Sequence, residues 1–448
     1  MQIKSRYIIW GVSLFLMAFP MKHFGAVTST AGVKIGTQAA VRFLRKDTTS
    51  VEKEKLFVKE NFEFATRQTE NRLKTTGQST PGMPHSIRKD GTLLSESIYE
   101  WTSGFYPGIL WYLAEYNKDN ALKDSAIIWT EKLDSVKTYT DDHDIGFMMY
   151  CSYGNAYRFT KTPAYKDVLI QSAKSLCTRY NETVGSIKSW NSFKSWHGDR
   201  KFGFPVIIDN MMNLELLFFA SDATGDNSFR NIAISHAEKA MQNQIREDYS
   251  TYHLVLYDTA TGKAIKGETA QGYADNSTWA RGQAWGIYGF TMVYRETKDP
   301  RFLKTAQGMA DYYINNANLP ADKITLWDFN ANEDGFVPGI KSNANKVTKK
   351  YRDASAAATT ASALLELSTY SEDQKAKVYF ETAKQILHSL AGPAYRAKEG
   401  TNANFMLMHS VGSIPHNSEI DVPLIYADYY FVEALTRYNQ LLNKKALF

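Results

Sequence analysis

The chain has 448 residues, 44% hydrophobic and 22% charged, a balance that excludes a disordered or fibrous protein and leaves ample material for a buried core. Aromatic residues make up 13%, with 27 Tyr, 24 Phe and 9 Trp, and flat aromatic faces serve large cores and sugar-binding clefts alike. The net charge of +5 is scattered with no long basic run, which argues against dedicated nucleic-acid binding and is compatible with an anionic substrate.

Residues 1–26 read as an export signal. Lys4 and Arg6 supply positive charge, Tyr7 to Ala18 an apolar segment, and Gly25-Ala26 the small residues of a cleavage site. The apolar segment is too short for a membrane span and is soon broken by Pro20. No Cys stands near the cleavage region to carry a lipid, and no later segment reads as transmembrane. A soluble periplasmic protein is expected, with secretion as the alternative. Residues 27–50 read as a polar leader and 51–448 as one domain.

From there one theme repeats: an amphipathic stretch with apolar residues at three- and four-residue spacing, then a polar turn, then another such stretch. The turns resemble each other, as in Tyr116 to Asp119, Phe159 to Tyr165, Thr224 to Phe229 and Thr297 to Phe302. Each is expected to end one helix and begin the next, with Gly, Asp or Pro as stop and cap. The pairs recur irregularly, which excludes a strict short-period solenoid and speaks against a helical-repeat scaffold. Tyr252 to Tyr257 alternates briefly and ends in Asp258 to Gly262, like a small hairpin. One all-α domain of about a dozen helices accounts for this pattern. Loops between outer and inner helices of such a ring converge at one end, where polar residues entering helix N-termini should meet. Cys151 and Cys177 fall in apolar helical stretches and read as free thiols.

Two acids stand out. Asp144 closes the polar turn Asp141-Asp142-His143-Asp144 and runs straight into Ile145-Gly146-Phe147. Asp209 interrupts the apolar run Val206 to Leu214, which reads as helical. A carboxylate flanked by so much apolar surface is costly to desolvate unless paired, hydrogen-bonded or protonated, so both are candidates for a raised pKa and for acid/base work on a sugar. One such acid alone also serves to cap a helix or pair with a core Arg, so the argument rests on the whole set. Trp101 to Gly108 is aromatic and glycine-rich, and Trp101 and Phe105 offer flat faces either to a sugar or to the ring interior. In Gln271 to Trp285, a helix over 278–290 puts Arg281 and Trp285 on one face, which suits a carboxylated sugar ring or a structural stack. His143, His197 and His253 lack metal-ligand spacing, and no phosphate loop, dinucleotide fingerprint or nucleophile elbow is present in the sequence.

Together these segments resemble glycoside hydrolase family 88, the unsaturated glucuronyl hydrolases. The matching stretches are Trp101 to Gly108, His143 to Phe147, Val206 to Asn213, Ser277 to Phe290, Asp353 to Leu367 and Tyr426 to Tyr430. The resemblance implies an (α/α)6 barrel and hydrolysis, with no metal or other cofactor, of lyase-generated oligosaccharides that carry a 4,5-unsaturated uronic acid at the non-reducing end. Asp209 then matches the general acid/base and Asp144 the second essential carboxylate, expected to raise the pKa of Asp209. His253, Gln271, Arg281 and Trp285 match residues lining the unsaturated-sugar subsite, with His143 beside them. Trp101 and Phe105 match aromatics near the cleavage point, and either Trp190 or Trp196 a further family Trp. The implied chemistry is hydration of a vinyl ether. The competing readings are an unsaturated rhamnogalacturonyl-type hydrolase of the same fold, disfavoured by the Trp279 to Trp285 run, and a non-catalytic periplasmic glycan-binding protein.

Overall fold

A computed structural model describes residues 48–77, 82–198 and 201–447, so the export signal and nearly all of the polar leader lie outside the described residues. Helix α1, Thr48–Thr76, begins just inside the stretch read as leader. The helices then alternate between an outer and an inner layer. Inner α2 (Phe105–Asn117) is followed by outer α3 (Asn120–Glu131). The next inner member is broken: α4 (Ile145–Met149), a π turn over Tyr150–Gly154, and α5 (Asn155–Thr160). Outer α6 (Pro163–Cys177), α8 (Asn227–Asn243), α10 (Pro300–Asn315) and α12 (Asp373–Leu390) alternate with inner α7 (Leu214–Thr224), α9 (Ala280–Thr297), α11 (Ala354–Ser368) and α13 (Ile425–Leu442).

The layers differ in sequence because they differ in surroundings. All of α11 is buried, and its Ala- and Ser-rich sequence lets α9 and α13 approach it from both sides. In α10 and α12, by contrast, only one face is buried. Inner helices pack in order, α2 on α5, α4 on α7, α7 on α9, α9 on α11, α11 on α13 and α13 back on α2, which closes the ring expected of an (α/α)6 barrel. Ion pairs in the C-terminal halves of the inner helices, Arg295 with Glu366 (2.9 Å) and Arg437 with Glu366 (3.1 Å), fill one end of it.

The polar turns end helices as expected, but mostly without glycine. Lys118, Lys161 and Lys298 take the left-handed conformation at three of the four C-caps, and only the fourth cap, Gly225, is a glycine. Each cap N–H donates to a carbonyl of the last turn, which offsets the strain of a non-glycine residue there. Asp119, Asp226 and Asp299 then start the next helix by accepting its first free N–H groups.

Short strands fill the connections at the other end. They are β1 (Met83–Ile87) and β2 (Leu93–Glu96), the two-residue pairs β3–β4 (Tyr180–Asn181, Ser186–Ile187) and β5–β6 (Phe193–Lys194, Lys201–Phe202), then β7 (Pro205–Ile207), β8 (Leu254–Tyr257), β9 (Ala264–Glu268), β10 (Ser410–Ser413) and β11 (Ser418–Val422). The hairpin expected near Tyr252 is β8–β9, and it gains β7 as a third strand. The run from Val206 to Leu214 is therefore not one helix. Val206 and Ile207 pair with Val255 and Leu254, Ile208–Asn213 is a 3-10 turn, and α7 starts only at Leu214. Three consecutive β-branched residues favour the strand, and β8 supplies its partner. Cys151 and Cys177 are free thiols. Among the described residues no helix is long and apolar enough to cross a membrane.

Candidate active site

All six inner helices bring side chains to the same mouth. Trp101 precedes α2, Asp144 precedes α4 and Asp209 precedes α7; Arg281 stands in the first turn of α9, Asp353 caps α11, and Tyr426 opens α13.

Asp209 owes its place to the β7–β8 pairing. Ile208 donates its N–H to the His253 carbonyl (2.9 Å), which draws the His253 ring alongside. His253 Nδ1 accepts the N–H groups of Ala270 (3.0 Å) and Gln271 (3.1 Å). A neutral ring whose Nδ1 accepts must carry its proton on Nε2, and that atom stands 3.6 Å from Asp209 Oδ2. Burial, with the charge of Arg281, holds the imidazole well below its ordinary pKa, so it stays neutral. Asp209 is only 8% exposed, and its Oδ2 has no hydrogen-bond partner. Burial pushes its carboxyl up to about 7, against the smaller opposing pull of Arg281, its own backbone N–H and the Trp285 indole.

Asp144 is brought close by a glycine. A Cβ on Gly146 would lie 2.5 Å from Asn213 Cα, so only glycine lets the Asp144 turn pack against the segment that carries Asp209. Phe147 N–H donates to Asn213 Oδ1 (2.8 Å) and fixes that approach. Burial raises the Asp144 carboxyl well above its ordinary range, and the charges of Asp142, Asp209 and Glu100 add to this against Arg179. The expectation that Asp144 lifts Asp209 is not met: burial raises Asp209, and it is the charge of Asp209 that adds to the burial of Asp144. His143 is fully buried, with Nε2 3.3 Å from Asp144 Oδ1.

The aromatic set is partly site and partly core. Trp101 is half-buried and lies against Tyr426, with ring centroids 4.8 Å apart. Phe105 is 0% exposed among Phe147, Tyr426, Tyr429 and Tyr430, so it supports Trp101 and offers no open face to a sugar. Trp285 is buried between Phe147 and Tyr430, 5.3 Å from each, and offers no open face to a ligand. The cause in both cases is that α2 and α9 are enclosed by neighbouring inner helices, so few of their side chains reach the mouth.

Arg281 stacks on Trp279 (4.5 Å) and Tyr426 (5.2 Å), not on Trp285 as its spacing predicts. Its Nη1 donates to Asp353 Oδ2 (3.1 Å) and to the Val411 carbonyl, and its Nη2 to the Gly412 carbonyl (2.7 Å). Most of the guanidinium is therefore committed to β10 and Asp353, while Nε–H has no acceptor. Trp190 and Trp196, alternatives in the sequence reading, both line one cavity of about 510 Å³ with Gln271, Lys341 and His416. Trp196 also donates its indole N–H to the Ala270 carbonyl (3.0 Å). His197 bonds to Asp275 Oδ2 (2.9 Å). Asn213, Asp353 and Tyr426 are site residues to which sequence reasoning assigned no role. All three fall inside the motif stretches, which was their only signal.

A closed helical ring with one buried and one largely buried carboxyl, an unpaired Asp209 oxygen facing His253, and tryptophans at the mouth defines a carbohydrate-active hydrolase of the (α/α)6 class. Residues 82–366 match Glycosyl Hydrolase Family 88. The chain is 46% identical over 346 residues to the unsaturated glucuronyl hydrolase of Formosa agariphila, covering 77% of this chain and 81% of that one. It is 34% identical over 361 residues to the unsaturated chondroitin disaccharide hydrolase of Streptococcus pyogenes, covering 79% and 85%. The crystal structure of an unsaturated glucuronyl hydrolase specific for heparin superposes with a TM-score of 0.78 at 44% identity, over 87% of this chain and 98% of that one. The chain belongs to Glycosyl Hydrolase Family 88 and is a glycoside hydrolase.

Proposed function

We propose that the protein removes the 4,5-unsaturated uronic acid from the non-reducing end of lyase-generated, glycosaminoglycan-type oligosaccharides by hydrating its C4=C5 double bond. The observation that carries this reading is the buried Asp209 carboxyl, which holds its proton up to about pH 7 beside an unpaired oxygen. Asp209 donates that proton to C4, and positive charge develops over C5 and the ring oxygen. Water adds at C5 and returns a proton to Asp209. The hemiketal so formed opens to a ketone at C5, and C1 releases the remaining sugar as its alcohol. One water is consumed and the acid is regenerated. Asp144, whose carboxyl burial and the neighbouring acids also hold above its ordinary range, stands beside Asp209 as the second carboxyl and orients the site. Because the proton goes to carbon, the spacing of the two acids does not report retention or inversion.

His253, Gln271 and the free Nε–H of Arg281 are assigned to the uronate, whose carboxylate also gains from six helix N-termini converging on the mouth. Trp101 takes the ring near the cleaved bond. The cavity between Trp190 and Trp196 takes the next sugar, and its volume of about 510 Å³ is that of a small-molecule site. The names of the relatives, chondroitin and heparin among them, support a glycosaminoglycan source. Residues 1–26 read as an export signal, and we place the reaction in the periplasm. The test is the ultraviolet absorbance of the conjugated enoate, followed with unsaturated disaccharides from hyaluronan, chondroitin and heparin. Loss of absorbance that persists in chelator supports the reading, and its rank order gives the preferred source. Unchanged absorbance with all three would refute the glycosaminoglycan assignment.

A further inference from the structure

Ser189 belongs to none of the residue sets above, yet it touches both acid-bearing segments. It lies between β4 and β5 and is fully buried. Its main chain bridges the two sides: its N–H donates to the Pro205 carbonyl (2.9 Å) on β7, and its own carbonyl accepts the His143 N–H (3.1 Å). Arg179 Nη2 also donates to that carbonyl (3.2 Å). The side chain repeats the bridge. Its hydroxyl oxygen accepts the Ile207 N–H (2.9 Å), two residues before Asp209, and stands 3.3 Å from His143 Nδ1.

These distances constrain a proton. Among the described residues the Ser189 hydroxyl meets only the Ile207 N–H and His143 Nδ1, so its O–H is satisfied when it donates to Nδ1, whereas a hydrogen on Nδ1 would leave that buried O–H without an acceptor. A neutral imidazole that accepts at Nδ1 carries its hydrogen on Nε2, the atom 3.3 Å from Asp144 Oδ1. The same logic operates at His253, where two backbone N–H groups do what the serine hydroxyl does here. His143 is held neutral chiefly by burial, with Arg179, His236 and His253 adding to this against Asn210. Facing Asp144 are Asp142, Asp209, Glu100 and Arg179.

We propose that Ser189 is a positioning residue for both carboxyls: it ties the His143–Asp144 turn to the strand that leads into Asp209, and it sets the proton of His143 on Nε2, toward Asp144. This rests on reading Asp144 and Asp209 as the reactive pair. Removing the hydroxyl frees the tautomer of His143 and leaves the Ile207 N–H unpaired, so the acids lose register without losing substrate contacts.

The test has two arms on the full chain. In the ring 15N–1H spectrum of the wild-type protein, with His143 assigned by comparison with His143→Asn, the expected pattern is that of an Nε2-protonated neutral ring. An Nδ1-protonated ring would overturn the proposal, and this arm needs no Ser189 variant to fold. In the kinetic arm, Ser189→Ala is expected to lower kcat roughly tenfold to a hundredfold, with KM within about twofold and the pH profile of kcat displaced. Ser189→Thr, which keeps the hydroxyl, is expected to recover most of the loss. A wild-type kcat in Ser189→Ala, or a fall in kcat with an unmoved pH profile, would also overturn it. Asp209→Asn is measured in parallel. If it turns over normally, the reading of the acid pair fails; if it is inert while Ser189→Ala is not impaired, the role of Ser189 alone fails.

Discussion

His253 faces Asp209 as a donor. Its Nδ1 is occupied by two backbone N–H groups, so its Nε2–H points toward Asp209 Oδ2 across 3.6 Å. That gap is too long for a hydrogen bond to the protonated acid, and the oxygen remains unpaired. Once Asp209 has given up its proton, the new carboxylate has an oriented donor beside it that needs no change of tautomer. The pair is thus arranged for the charge that develops during the reaction rather than for the resting state.

The pH dependence of stability follows from the raised Asp209 carboxyl, and its sign is definite. Below the ordinary value of 3.8 both folded and unfolded chains hold the proton, so burial of this group costs nothing. Between 3.8 and about 7 the unfolded chain has released it and the folded chain has not, so stability falls as pH rises through that window. Asp209→Asn removes this cost. The melting temperature of the variant should match the wild type near about pH 4 and exceed it near about pH 8, by a difference corresponding to roughly 2–4 kcal/mol. An equal difference at both values would contradict the burial account.

Activity should follow the same proton in the opposite role. The acid form of Asp209 is the donor, so kcat is expected to decline above about pH 7. A profile flat to about pH 9 would mean that another group supplies the proton.

Arg281 carries both an anchoring and a binding expectation. Arg281→Ala leaves Asp353 buried without its cation and releases the Val411 and Gly412 carbonyls, so a loss of roughly 3–5 kcal/mol in stability is expected. Arg281→Lys keeps a charge but not the fork, and KM for the unsaturated disaccharide should rise at least about tenfold. Unchanged KM in the lysine variant would remove Arg281 from the uronate site and leave it a purely structural role.

Gly146→Ala tests how closely the two acid segments must approach. The new Cβ meets Asn213 Cα at 2.5 Å, which forces the Asp144 turn away from Asp209. A stability loss of roughly 1–3 kcal/mol is expected. A fall in kcat of about a hundredfold should accompany it. Wild-type kcat in a folded Gly146→Ala protein would show that the register of the two acids is not critical.

Much of this was legible from the chain because helix turns and isolated acids are local signals. Asp119, Asp226 and Asp299 act as caps where the polar turns placed them, and Asp144 and Asp209 were conspicuous as charges among apolar residues. The strand at Val206–Ile207 was not legible, since a short apolar run fits helix and strand equally until β8 is seen beside it. Nor was the burial of Phe105 and Trp285, because an inner helix is apolar on nearly every side and its sequence does not say which face meets the mouth. Ser189 has no local signal at all. Its partners His143 and Ile207 are 46 and 18 residues away, and only the fold assembles them.

The most direct test of the central claim, that Asp209 delivers a proton to C4, is turnover of an unsaturated disaccharide in deuterium oxide, followed by NMR of the released uronate in wild type and in Asp209→Asn. One deuterium at C4 and loss of the enoate are expected with wild type, and no turnover with the variant. Cleavage of the sugar linkage with the double bond intact, or undiminished C4 deuteration by Asp209→Asn, would contradict it.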